Sequence, residues 1–143
     1  MILYLDTSAL VKVYVDEPGR AAVVTEIAAA TGVATVGIAY AEARAAFARK
    51  RREGGLDARG LRQVVEALDG DWATFFVVDV SEPLVRRAGI LAERHALRGY
   101  DAVHLAGALE IARGGGDVSF LCFDQRLRTA ARRLKLRAPI LMG

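Results

Sequence analysis

Four acidic residues, Asp6, Glu42, Asp101 and Asp124, carry the chemistry that this sequence offers. Three are aspartates at predicted helix starts, and Asp6 and Asp124 directly follow apolar runs, MILYL and SFLCF, that suit strands buried on both faces. Singly, each aspartate reads as a helix cap, since Asp accepts hydrogen bonds from first-turn amides and is favoured by the helix dipole. Together they imply more. Right-handed parallel crossovers bring strand ends to one edge of a sheet, so Asp6 and Asp124 should share a neighbourhood. Glu42 interrupts an otherwise small, apolar helix face in YAEARAAF, where a carboxylate is rarely buried unless paired.

Carboxylates gathered in this way repel: two unit charges about 4 Å apart cost roughly 4 kcal/mol at an effective dielectric near 20. A cation relieves that repulsion. Hard oxygen donors without thiolate or histidine partners suit Mg²⁺ or Mn²⁺, and Mg²⁺ sites of this kind act on phosphates.

The elements that must position these acids follow from periodicity. The first apolar run is a strand, and Leu10, Val11, Tyr14 and Val15 form the face of the helix after it. Glu17, Pro18 and Gly19 make a turn, Ala21 to Ala30 a short alanine-rich helix, and Val33 to Val36 a second strand. A helix from Ile38 to Glu53 carries Glu42, and Leu61, Val64, Val65 and Leu68 mark the next, which reaches Trp72. Phe75 to Val80 is the third strand; Ser81 opens a helix running to about His95; Asp101 opens another that ends at Gly114 to Gly116. Asp124 heads the last helix, and Pro139 to Leu141 is expected to add a short terminal strand. Strands alternating with helices predict a three-layer α/β/α domain with a mainly parallel sheet of four to five strands, spanning residues 1–143 as one domain.

The composition is compatible with this: 143 residues, 53% hydrophobic, with one cysteine, Cys122, which excludes an internal disulfide and a multi-thiolate zinc site. The longest uncharged stretch, Ile27 to Ala41, is too short for a membrane span and is broken by Gly32 and Gly37, so a soluble, cytoplasmic protein is expected. Net charge is only +3, but the bases cluster between Arg44 and Arg52 and between Arg126 and Arg137. Solvated helix faces explain such runs in general; a polyanion partner is the functional alternative.

LDTSALVKVYVDEPG, YAEARAAF, GYDAVHLAGAL and FLCFDQRLRTAARRL together resemble a PIN-domain ribonuclease, in particular the VapC-type toxin of a toxin–antitoxin pair, over nearly the whole chain. The resemblance implies that Asp6, Glu42, Asp101 and Asp124 are the catalytic, metal-holding quartet and that Ser8 is the small hydroxyl residue beside the first acid. In that reading Asp6 and Asp101 hold one Mg²⁺ or Mn²⁺ directly, and Glu42 and Asp124 complete the site. It further implies an RNA substrate of the tRNA or rRNA kind, a homodimer formed through alanine-rich helices, and silencing by a small antitoxin. The family often has Thr or Ser two residues before the last acid; this chain has Cys122, a weaker donor.

Arg44, near Glu42, and Arg126, near Asp124, are candidate phosphate contacts, Arg44 being alternatively an ion-pair partner for the acids. His104, one helical turn after Asp101, invites a general-base role, against the more ordinary one of a packed side chain bonded to a neighbouring acid. Tyr40, Tyr100 and Trp72 read as packing residues as readily as RNA contacts. Aspartyl-phosphate phosphatases also begin with an apolar strand and an Asp, but need a second acid where Ser8 stands. The remaining alternatives are a catalytically inactive RNA-binding or scaffold module of the same fold, and a nuclease acting on single-stranded DNA.

Overall fold

Alternation within the first strand sets the layers. In β1 (Ile2–Leu5), Tyr4 points to one side of the sheet and Leu3 and Leu5 to the other, and all three are fully buried. The computed structural model, which describes residues 1–141, continues with α1 (Thr7–Tyr14), α2 (Arg20–Ala29), β2 (Gly32–Val36), α3 (Ile38–Arg52), α4 (Ala58–Trp72) and β3 (Phe76–Val78). It ends with α5 (Glu82–His95), α6 (Gly99–Arg113), β4 (Val118–Leu121) and α7 (Gln125–Arg133).

The four strands pair in parallel in the order β3-β2-β1-β4. Leu3, Leu5 and Leu121 pack with Leu10, Val23, Ala43, Phe47 and Leu68 from α1 to α4. Tyr4, Ala34, Val36 and Phe120 pack with Leu84, Ala102, Leu105, Leu127 and Ala131 from α5 to α7. The result is a three-layer α/β/α fold, as right-handed crossovers running first one way and then back require. Contact in the second layer is close because α6 is built of small residues: a Cβ on Gly107 would lie 2.8 Å from the Tyr4 hydroxyl.

This strand order fixes the place of the site. The chain leaves β1 toward β2 and β3, then returns to place β4 on the other side of β1. The order therefore reverses between β1 and β4, the crevice where open parallel sheets bind ligands. Asp6 and Asp124 stand at the carboxyl ends of these two strands, and the Asp6 amide donates to the Leu121 carbonyl at 3.1 Å.

Three expectations are corrected. The third strand is confined to Phe76–Val78, at the sheet edge. Asp101 lies in the first turn of α6, Arg98 being the N-cap residue. Pro139 to Leu141 forms no strand: a single parallel bridge joins Arg137 to Ser119, with the Phe120 amide donating to the Arg137 carbonyl, and Pro139 has no N–H with which to continue a ladder. Among the described residues the sheet thus has four strands, and no helix is long and apolar enough to cross a membrane.

Candidate functional site

Asp6 ends β1 with extended backbone and caps α1: its Oδ1 accepts from the Ala9 amide at 2.9 Å and from Ser8 Oγ at 2.7 Å. Asp124 repeats the pattern after β4, its Oδ1 accepting from the Leu127 amide at 2.9 Å. Each cap uses one carboxylate oxygen, and among the described residues Asp6 Oδ2 accepts no hydrogen bond. Asp6 is buried, and burial raises its pKa above the ordinary value, with Asp101 adding to the rise; His104, the Ala9 amide and Ser8 oppose it.

Glu42 is held from two sides. Its Oε1 accepts from Thr7 Oγ1 at 2.7 Å and lies 3.2 Å from His104 Nε2, which is also 2.9 Å from the Thr7 hydroxyl. Burial pushes the Glu42 carboxyl up, but the bonds from His104 and Thr7 outweigh it and the net shift is downward. His104 is buried and reaches Tyr4 Oη through Nδ1 at 3.1 Å, so the ring is fixed at both nitrogens. This is the packed, acid-bonded histidine of the more ordinary reading, and it orients Glu42.

Asp101, buried on α6, is paired by Arg98: Nε donates to Oδ2 at 2.8 Å, while Arg98 Nη2 lies 3.7 Å from Asp124 Oδ2. One guanidinium thus bridges two of the acids. All four acids line a single cleft of about 740 Å³, with Ser8, Lys12, Arg49, Lys50 and Tyr100 also in its walls. Lys12 and Lys50 are both paired with Glu17, at 2.9 and 3.3 Å.

Arg44 is not among the cleft-lining residues. Two positions from Glu42 it projects from a different face of α3, donates to Tyr40 Oη at 3.1 Å and lies over that ring. Arg126 lies beyond Arg98, donating to the Ala96 carbonyl at 3.1 Å. Tyr40 donates to Asp69 and meets Trp72 edge-on, a packing role, whereas Tyr100 is exposed beneath Arg98. Sequence reasoning passed over Thr7 and Arg98. The i,i+3 spacing of Arg98 and Asp101 at a helix start was the available signal for the second.

As donors, the carboxylates fit a hard divalent ion: oxygen-only ligands, one oxygen of each capping aspartate left over from capping, and burial that makes an uncompensated charge on Asp6 costly. Among the described residues no three of them already stand together as a metal-holding group; Arg98 supplies the positive charge between Asp101 and Asp124.

The family model for the PIN domain matches residues 3–133. Ribonuclease VapC45 of Mycobacterium tuberculosis is 35% identical over 130 residues, 91% of this chain and 89% of that one. In fold, the chain resembles the crystal structure of FitAcB from Neisseria gonorrhoeae, with a TM-score of 0.71, 20% identity and 96% of each chain covered. It also resembles VapBC2 from Rickettsia felis bound to a DNA fragment from their promoter, with a TM-score of 0.64, 18% identity and 99% of each chain covered. A match across so much of the chain, with the acids at the β1/β4 crevice, leads to one conclusion: the chain belongs to the PIN-domain family, in the branch of the VapC ribonucleases.

Proposed function

We propose that this chain is a Mg²⁺- or Mn²⁺-dependent endoribonuclease and the toxin of a toxin–antitoxin pair, acting on structured RNA such as tRNA or rRNA. The observation that carries the reading is the convergence of Asp6, Glu42, Asp101 and Asp124 on one cleft at the β1/β4 crevice. The likeness to proteins named Ribonuclease VapC supports it.

In this reading Asp6 and Asp101 hold the ion, with Glu42 and Asp124 completing the site. The ion supplies the charge that activates a water and stabilises the phosphorane-like transition state. The protein's own residues do the rest. His104 and Thr7 fix the direction of Glu42. Ser8 and the Ala9 amide hold Asp6 so that its second oxygen faces the cleft. Arg98 gives up Asp101 and Asp124 to meet the incoming phosphate. Water adds to phosphorus and the 3'-oxygen leaves, giving 5'-phosphate and 3'-hydroxyl ends, so the 2'-hydroxyl serves recognition.

The toxin works as a homodimer in the cytoplasm, paired through alanine-rich surface on α2 and α3, and a short antitoxin blocks the cleft with a charged residue among the acids. Exposed Ala21, Ala28, Ala41 and Ala45 on those helices support the pairing; Ala39 and Ala43 are core. End-mapped cleavage of RNA with Mg²⁺ or Mn²⁺, lost with chelator and on co-expression with the neighbouring reading frame, is the expected result. Metal-independent cleavage overturns the metal role, absence of cleavage overturns the enzymatic reading, and a strict monomer at micromolar concentration overturns the dimer. A matched deoxy strand tests DNA. One observation favours an inactive RNA-binding module, the Arg98 bridge across two acids; RNA bound but never cut would establish it.

A further inference from the structure

The acidic cleft adjoins a second hollow at Arg98. Between the α5–α6 junction and the outer side of α7 lies a cavity of about 770 Å³, and Arg98, Asp101 and Asp124 form walls of both. That volume is within the roughly 300–1,000 Å³ usual for small-ligand sites.

The two hollows differ in the state of their cations. In the cleft, Glu17 holds Lys12 and Lys50, and Glu53 holds Arg49 at 3.0 Å. In the cavity, Arg126 and Arg133 are exposed, and among the described residues neither forms an ion pair. A cation held by a carboxylate must give up that ion pair to meet a phosphate, whereas Arg133 meets it at no such loss and Arg126 gives up only a hydrogen bond to the Ala96 carbonyl. Attraction for a polyanion therefore concentrates in the cavity.

We propose that the cavity is a ribonucleotide subsite. It seats the nucleotide next to the scissile one, with Arg126 and Arg133 on its phosphate and Arg98 at the boundary with the carboxylates. The inference rests on the ribonuclease reading and adds the direction in which the strand leaves the cleft.

The test is fluorescence anisotropy of an end-labelled, short single-stranded RNA across a salt series, with full-length protein carrying Asp6→Asn so that the strand stays intact. Arg126→Ala with Arg133→Ala should weaken binding about tenfold and flatten the salt slope by about 0.7, the single-strand value for the one phosphate they share. Both side chains are exposed, and the Arg126→Lys with Arg133→Lys variant should restore most of the affinity. Arg49→Ala with Lys50→Ala, in the cleft, should cost less than about threefold. Affinity within about twofold of the parent for the cavity pair, or equal losses for the two pairs, overturns the subsite. So does unchanged RNA affinity with loss of the complex with a co-expressed short partner, which would assign the cavity to protein. Cavity-dependent binding by a chain that, with Asp6 restored, cuts no RNA would retain the binding site and refute the nuclease reading; cleavage with cavity-independent binding does the reverse.

Discussion

Asp6 and Asp124 hold equivalent places in the fold and make the same local bond, yet their surroundings differ. Each follows one of two adjacent parallel strands, and each caps the next helix through Oδ1 at 2.9 Å to the amide three residues on. Asp6 is 5% exposed and sits among Ser8, His104 and Asp101; the Asp124 side chain is 41% exposed and faces Arg98. Capping accounts for one oxygen in both cases. Burial and neighbours decide what the other oxygen can do: at Asp6 a charge is desolvated and costly unless compensated, while at Asp124 it is partly exposed and already within reach of Arg98.

Substitution by Asn keeps the cap in both places and removes only the charge, so it isolates this difference. Altering groups behind the ligands of a metal site costs 10–100-fold, so if Asp6 is a ligand, as proposed, Asp6→Asn should lower RNA cleavage by more than about 100-fold, with Asp101→Asn in the same class. Asp124→Asn should cost about tenfold. Rates measured beside circular dichroism of each variant check this. Equal losses at Asp6 and Asp124 would show that burial does not rank the two acids.

Arg98 offers a way to sharpen the same comparison, because it touches Asp101 and Asp124 and not Asp6. Without it, both carboxylates lose a competing cation. Arg98→Ala should therefore tighten Mn²⁺ binding by about tenfold, the scale of one close charge pair near a surface. Titration followed by paramagnetic resonance reads this without any turnover. Unchanged affinity would mean that Arg98 does not compete for the acids.

How much of this was legible in the sequence depends on whether the signal was local. The strand–Asp–helix junctions at Asp6 and Asp124 could be read because apolar runs, cap residues and helix periods lie within a few positions of one another. Parallel topology followed from alternation of elements, and with it the meeting of those two acids. The hold on Glu42 could not be read, since Thr7 and His104 lie 35 and 62 residues away and only packing of α1, α3 and α6 joins them. Arg44 shows the opposite limit: close to Glu42 in sequence, it is turned away because positions two apart on a helix do not face each other. Pro139 to Leu141 looked like a strand from its apolar character, and the missing proline donor outweighed it.

Titration separates the inner acids further, and with opposite signs. The folded chain holds the Asp6 pKa above the ordinary 3.8, so between that value and the raised one the folded state binds more protons than the unfolded. Stability then falls as pH rises through that window. Glu42 is held below the ordinary 4.5, so its contribution is present above that value and is lost as pH falls through the lowered one. In chelator-treated protein, Asp6→Asn should raise the urea midpoint at about pH 7, and Glu42→Gln should lower it, both differences fading toward about pH 3. Shifts of the same sign would break the account of either Thr7 and His104 or the burial of Asp6.

The smallest effect is expected at Cys122, the residue that departs from the hydroxyl often found two positions before the last acid. Its side chain is buried beside Phe120 and Leu127 in the layer under α7, and its Sγ lies 3.7 Å from the Asp124 carbonyl. Burial, with Asp6 nearby, pushes the thiol up to about 12, so at neutral pH it is neither a thiolate ligand nor a nucleophile. The Asp124 cap is already made by its own Oδ1 on the Leu127 amide. A stronger donor at position 122 would therefore steady the Asp124 backbone without changing what its carboxylate can reach. Cys122→Ser should leave cleavage within about fivefold, because a neutral hydrogen bond is worth only about 1 kcal/mol net. Cys122→Thr tests the same point in a side chain closer to the family pattern. Loss of activity in both, with unfolding midpoints unchanged, would show that the orientation of Asp124 depends on the thiol, and that the outer acid is as finely held as the inner one.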